Sequence, residues 1–146
     1  MRVCDAMTTN VQLCTPQDSI RDAAEAMATL NIGLLPVAEN GRLVGMISDR
    51  DIATRGIAMG RGPDAPVRDV MTADVKYCFE DQDIDEVTRN MADIQVRRLP
   101  VLARNKRLVG IIALGDIAVS KPGDGAATAL HGISRPGGQH ASAVTG

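Results

Sequence analysis

The stretch Gly45-Met46-Ile47-Ser48-Asp49-Arg50-Asp51 returns later in the chain as Gly110-Ile111-Ile112-Ala113-Leu114-Gly115-Asp116. Each copy begins in an apolar strand, Leu43-Val44-Gly45-Met46-Ile47 or Leu108-Val109-Gly110-Ile111-Ile112, and runs into a helix with an aspartate in its first turn. A glycine inside such a strand marks a place where a ligand or a neighbouring backbone comes close, because no Cβ stands in the way. Ser48 suits an N-cap, and the N–H groups of a helix start attract anions. A hydroxyl, a carboxylate and an anion-friendly helix start on one rim suit a sugar phosphate. A capping serine with helix-dipole aspartates explains a single copy equally well. Two copies in register favour the ligand.

The register extends far beyond this motif. A shift of 64 residues pairs Val3, Asp5, Met7, Thr8, Val11, Cys14, Ile20, Met27 and Leu35-Pro36-Val37 with identical residues from Val67 to Val101. One inserted residue in the second copy's turn makes the shift 65, which pairs Arg42-Leu43-Val44-Gly45 with Arg107-Leu108-Val109-Gly110 and Asp51-Ile52-Ala53 with Asp116-Ile117-Ala118. The chain is an internal duplication.

Each repeat has the same plan. A lead-in (residues 3–8; 67–72) precedes a short strand ending at Cys14 or Cys78. A helix follows, with Ile20, Ala23, Ala24, Met27 and Leu30 on one face, capped by Asp18 or Ser19. Its counterpart uses Ile84, Val87, Met91 and Ile94. Then comes a hairpin, closed by Asn40-Gly41 in the first copy and by Ala103-Arg104-Asn105-Lys106 in the second. A second helix ends each repeat, at residues 49–59 and 114–120. The predicted fold is therefore α/β (α+β): two tandem repeats, each a small three-stranded sheet with two helices, packed sheet to sheet about a pseudo-twofold axis. The boundaries are 1–59 for the first repeat, 60–66 for a Gly/Pro-rich linker and 67–120 for the second repeat. Residues 121–146 read as a mobile Gly/Ala/Ser-rich tail, with at most a helical turn at 126–130.

Composition excludes several function classes. The 146 residues are 45% hydrophobic and 23% charged, ordinary for a globular protein, but include one Tyr, one Phe and no Trp. Without aromatic stacking platforms, and with a net charge of −2, nucleic acid is not an expected partner. No apolar run spans a membrane and no leader is visible, so the expected location is the cytoplasm. Three cysteines without a framework spacing suit that compartment.

The ordered set of helix, Leu-Pro-Val strand, hairpin, Leu-Val-Gly strand and Gly-x-x-Ser/Thr-x-x-Asp, present twice over residues 1–120, resembles the CBS domain, named after cystathionine β-synthase. The pair is similar to a stand-alone CBS-pair protein and to the regulatory insert of IMP dehydrogenase. The resemblance implies an adenine-containing regulatory ligand (AMP, ADP, ATP, NAD or S-adenosylmethionine) in the cleft between the repeats, and a homodimer that acts on an effector protein. It places Asp51 on a ribose, Ser48 near phosphate and Arg50 as a second phosphate donor, with a base wall around Tyr77, Cys78, Val96 and Arg98. The second site has Asp116 on ribose and a wall around Cys14, Thr15, Ile32 and Leu34. Ala113 breaks the motif there, and Arg97 or Arg98 substitutes as the phosphate contact. The first site is thus the more complete one. A structural or interaction module with degenerate sites is the alternative.

No nucleophile or general base accompanies Asp49-Arg50-Asp51, so no catalytic residue and no enzymatic activity are expected. His131 and His140 lack further ligands around them, so no metal site is expected either. Cys14 and Cys78, at equivalent places, read as buried thiols of the core.

Overall fold

The computed structural model describes residues 1–120 and 124–134. Its order is helix α1 (Ile20–Leu30), strands β1 (Leu34–Glu39) and β2 (Arg42–Ser48), helix α2 (Asp49–Asp51), strand β3 (Cys78–Phe79) and helix α3 (Ile84–Ile94). Strands β4 (Arg98–Leu102) and β5 (Leu108–Ala113) and helices α4 (Leu114–Ser120) and α5 (Asp124–Ile133) complete it. This is the mixed α+β architecture that the duplication implies.

The chain forms two compact units, and their boundaries differ from those of the sequence repeats. One unit is Gln12–Val75; the other joins Met1–Val11 to the described residues from 76 to 134. Each repeat's lead-in therefore builds the unit of the other repeat. Val67 and Val70 sit in one core with Cys14, Ile20, Ala23, Met27, Leu35, Val37 and Ile47. Val3 sits in the other with Cys78, Ile84, Val87, Met91, Val96, Leu99, Val101, Ile112 and Ile117. Each unit closes around its own apolar cluster.

The motif glycines explain the exchange. Met46 and Thr72 trade backbone hydrogen bonds at 2.8 and 2.9 Å, and a Cβ on Gly45 would lie 2.7 Å from Met71 Sδ and 2.9 Å from Thr72 O. In the other unit Thr8 and Ile111 trade bonds at 2.8 and 2.9 Å, and a Cβ on Gly110 would lie 2.6 Å from Thr8 O. Of the two reasons for a strand glycine, the close neighbour is a backbone: the Met-Thr pair of the opposite lead-in.

Local chemistry sets the helix ends. Ser19, not Asp18, caps α1 by accepting from Asp22 N–H at 3.0 Å; Asp18 instead accepts from Thr15 N–H at 2.8 Å. Asp83 caps α3. Both helices stop at a left-handed residue, Asn31 (φ 54°) or Gln95 (φ 59°). The Asn40-Gly41 turn has both residues at positive φ, as a two-residue hairpin of this sequence requires.

Three expectations need correction. The sheet of the first repeat has two strands, not three: the segment before α1 contributes a single parallel bridge, Cys14 to Val37. In the second repeat β3 runs one residue further, and Glu80 N–H donates to Leu102 O at 2.9 Å. Pro16 stands where Glu80 stands and has no N–H to donate, so the ladder ends. Residues 49–59 are not one α-helix either. After α2 the chain widens into a π-helical stretch, Ile52–Gly56, and ends in a 3-10 turn, Ile57–Met59. Gly56 lies buried against Ile20, where an added Cβ would come 3.2 Å from Ile20 Cδ1. Lastly, the supposed tail holds α5. Ala129 is buried, Gln95 Nε2 donates to Gly132 O at 2.9 Å, and a Cβ on Gly132 would meet Ala92 Cβ at 3.1 Å. Small residues form a close-packing face here: Gly125, Ala129 and Gly132 recur at helical spacing. Residues 135–146, His140 among them, lie outside the described residues.

Candidate functional site

Each unit carries one rim at the junction of its second hairpin strand with the following helix. In the unit Gln12–Val75, Ser48 and Asp51 form a reciprocal cap. Ser48 Oγ accepts from Asp51 N–H and Asp51 Oδ2 accepts from Ser48 N–H, each at 3.0 Å. Asp51 Oδ1 lies 4.0 Å from Arg55 Nε, and Arg55 also donates to Met71 O at 3.2 Å. Ser48 is only 3% exposed, and its hydroxyl serves this cap. Arg50 and Asp49 are exposed.

The rim of the other unit has half of that cap. Asp116 Oδ2 accepts from Ala113 N–H at 3.0 Å, and Ala113 has no hydroxyl to return the bond. The aspartate is nonetheless pinned by the same backbone group as its counterpart.

A second feature recurs at both rims and escaped the motif. Asp49 N–H donates to Gly33 O, and Leu114 N–H donates to Arg97 O, both at 2.9 Å. These bonds join the start of the first hairpin strand to the start of the helix. The same frame thus carries glycine and aspartate in one unit, and arginine and leucine in the other. Superposing the two repeats in sequence puts these positions in register, a signal that only matters once the bond is seen.

The expected wall residues divide by unit. Cys14, Thr15, Ile32 and Leu34 belong with Asp51, and Tyr77, Cys78, Val96, Arg97 and Arg98 belong with Asp116. Cys14, Leu34, Cys78 and Val96 are buried, and Ile32 packs partly against the core. Thr15 and Arg97 are exposed; Arg98 is half-buried at the start of β4. Tyr77 is exposed. Lys106 Nζ donates to its hydroxyl at 2.9 Å, and its ring meets Phe79 edge-on at 5.6 Å. Arg104 lies 4.2 Å over Phe79 and binds Asp81 at 2.8 Å, which holds the Asp81 carboxyl below its usual range. This cluster ties the start of β3 to the β4–β5 turn.

Burial pushes the Cys14 thiol up to about 11, with Asp18 and Asp22 adding to the effect, and the Cys78 thiol up to about 12. Neither is a nucleophile near neutral pH. Among the described residues, no group of three or more His, Cys, Asp or Glu could hold a metal ion. No helix among them is long and apolar enough to cross a membrane.

Comparison with known proteins matches residues 3–57 and 67–121 to the CBS domain. The chain is 42% identical over 133 residues to the CBS domain-containing protein YhcV of Bacillus subtilis, covering 90% of this chain and 94% of that protein. It is 38% identical over 104 residues to inosine-5′-monophosphate dehydrogenase of Methanocaldococcus jannaschii, covering 70% of this chain and 20% of that enzyme. Among solved structures, CBSX2 in complex with AMP aligns with a TM-score of 0.73 at 26% identity over 82% of this chain and 94% of that one. The CBS domain pair of MJ0100, solved with 5′-methylthioadenosine and S-adenosyl-L-methionine, aligns with a TM-score of 0.70 at 29% identity over 82% and 94%.

Proposed function

This chain belongs to the CBS-domain family, and from that premise we propose that it is a regulatory sensor of adenine-containing ligands that acts in trans on a partner protein. The observation that carries the reading is the repeated aspartate, Asp51 and Asp116. In both units its carboxylate is fixed from one side by the backbone N–H of Ser48 or Ala113. A carboxylate so pinned can accept from the two hydroxyls of a ribose with its remaining acceptor capacity. The AMP, methylthioadenosine and S-adenosylmethionine of the solved relatives all contain that ribose. Binding then shifts the balance between two arrangements of the chain, and the partner responds to the shift. At the Asp116 rim, where Ala113 offers no hydroxyl, Arg97 is the phosphate contact; Ser48 Oγ serves the cap at the Asp51 rim. We place the module in the cytoplasm and assign it no catalytic step.

A thermal-shift panel of AMP, ADP, ATP, NAD and S-adenosylmethionine, with GTP as control, tests the reading. An adenine ligand at a hundredfold excess over its Kd adds about 2.7 kcal/mol of stability. A flat response across all five adenine compounds contradicts it. That outcome favours the second reading, an interaction module with degenerate sites. The exposed side chains of Ile57 and Met59 support a homodimer. Sedimentation should give twice the 15.4 kDa chain mass; a monomer across micromolar concentrations contradicts the dimer.

A further inference from the structure

Asp51 and Asp116 share a backbone pin but differ in what stands one helical turn beyond them; a role for that difference rests on the adenine-binding reading. Asp51 Oδ2 is taken by the Ser48 N–H, and Oδ1 faces Arg55 Nε at 4.0 Å, with the aspartate side chain 15% exposed. The same guanidinium leaves its own helix: Nη1 donates to Met71 O at 3.2 Å. Met71 belongs to the second repeat's lead-in, which lies against Gly45, and its neighbour Thr72 exchanges backbone bonds with Met46 at 2.8 and 2.9 Å. Arg55 thus stands between the carboxylate of the rim and the lead-in that completes the unit.

The backbone around Arg55 has a sequence cause that the second repeat lacks. Thr54 Oγ1 donates to Arg50 O at 2.7 Å, loading the carbonyl that the Thr54 N–H would use in an α-helix, and the chain widens into its π-helical stretch. Arg61 Nη1 donates to Arg55 O at 2.9 Å and secures that stretch from the linker. In the register of 65, Val119 and Ser120 stand at the places of Thr54 and Arg55, and α4 stays α-helical to Ser120. Single π-helical turns within helices are frequent at functional sites.

We propose that Arg55 is a positioning residue that couples occupancy of Asp51 to the second repeat's lead-in. In the structure the guanidinium divides its donors between Asp51 and Met71 O. Ribose hydroxyls that donate to Asp51 Oδ1 replace the cation's hold on that oxygen, and Arg55 turns wholly to the Met71 carbonyl. The lead-in is then held more firmly against Met46. Asp116, with Ser120 one turn on, takes its ligand without this response. One rim signals and the other only binds.

Amide hydrogen exchange followed by NMR on the full chain tests the coupling, with and without saturating AMP, in the parent, Arg55→Gln and Arg55→Lys. Each variant is compared with its own AMP-free baseline, so a purely structural loss cancels. Calorimetry confirms AMP binding, and melting temperature confirms folding. In the parent, AMP should slow exchange at Met46 and Thr72 at least about fivefold and leave Thr8 and Ile111 within about twofold. Arg55→Gln should still bind AMP but hold the change at Thr72 within about twofold. Arg55→Lys should respond in the same way, because one compact ammonium cannot serve carboxylate and carbonyl together. A parental response in both variants, or equal responses at both lead-ins in the parent, overturns the coupling while leaving adenine binding intact. Loss of AMP binding in Arg55→Gln makes Arg55 a ligand contact and also overturns it. A parent chain that binds no AMP overturns both readings.

Discussion

The junction after β2 and the junction after β5 do the same structural task with different chemistry. The first uses a reciprocal box between Ser48 and Asp51; the second keeps only the bond from Ala113 N–H to Asp116. The aspartate's position is therefore set by a backbone donor, and the hydroxyl is an addition to it. The same holds one layer out, where the bonds to Gly33 O and Arg97 O are equal in length while the side chains differ in charge. Duplication has kept the frame and let its side chains diverge.

The largest effect should come from filling the glycines on which each frame rests. Gly110→Ala puts a methyl 2.6 Å from the Thr8 carbonyl oxygen, whereas Gly45→Ala puts one 2.7 Å from the Met71 thioether, which can swing aside, and 2.9 Å from the Thr72 carbonyl oxygen, a milder backbone clash. Overpacking of this kind costs about 1–3 kcal/mol. Urea denaturation should show Gly110→Ala to be the more damaging. If both are neutral, the exchanged lead-ins do not hold the units as described.

Next in size is the missing hydroxyl. Ala113→Ser should complete the second cap and stabilise the chain by about 0.5–2 kcal/mol. Its ligand-induced shift, measured against its own ligand-free melting temperature, should stay that of the parent, because the equivalent Ser48 is buried in its cap. A gain in nucleotide affinity at that site would make the motif hydroxyl a ligand contact after all.

The smallest effect concerns the paired thiols, where the units behave alike. Burial raises Cys14 and Cys78 above the ordinary value of 9.0, to about 11 and about 12. A raised folded-state value favours the protonated thiol. The contribution is therefore complete below pH 9 and is lost as pH rises toward 11 and 12. Thermal melts of Cys14→Ala/Cys78→Ala should show a shallower alkaline decline than the parent. An identical slope would place the titration elsewhere.

The duplication, the hairpins, the helix faces apart from Leu30, which is 46% exposed, and the capping aspartates were legible because they rest on local periodicity and on identity between repeats. The exchange of lead-ins was not, since Met7-Thr8 and Met71-Thr72 are identical and either could serve either sheet. The loss of the third strand at Pro16 was visible in principle: a missing N–H is a sequence fact, but its consequence needs the partner at position 38 to be known. Ala38 N–H donates to Cys14 O at 2.9 Å, and the bridge goes no further. The α5 helix was hidden by its own means of packing, because glycine and alanine look like tail until Ala92 is beside them. Tyr77 was named for a ligand wall by resemblance alone, and its hydrogen bond from Lys106 depends on a turn whose contacts the sequence does not show.

The central claim is that Asp51 and Asp116 hold the ribose of an adenine-containing ligand. Asparagine keeps an oxygen for the capping N–H and removes the charged acceptor, so Asp51→Asn/Asp116→Asn separates binding from folding. Calorimetric titration of this double variant with AMP and 5′-methylthioadenosine tests the claim most directly. A hydrogen bond to a charged group is worth about 1.5–3 kcal/mol, so each affinity should fall at least about tenfold at an unchanged melting temperature. Parental affinity for both ligands in the double variant would contradict the account.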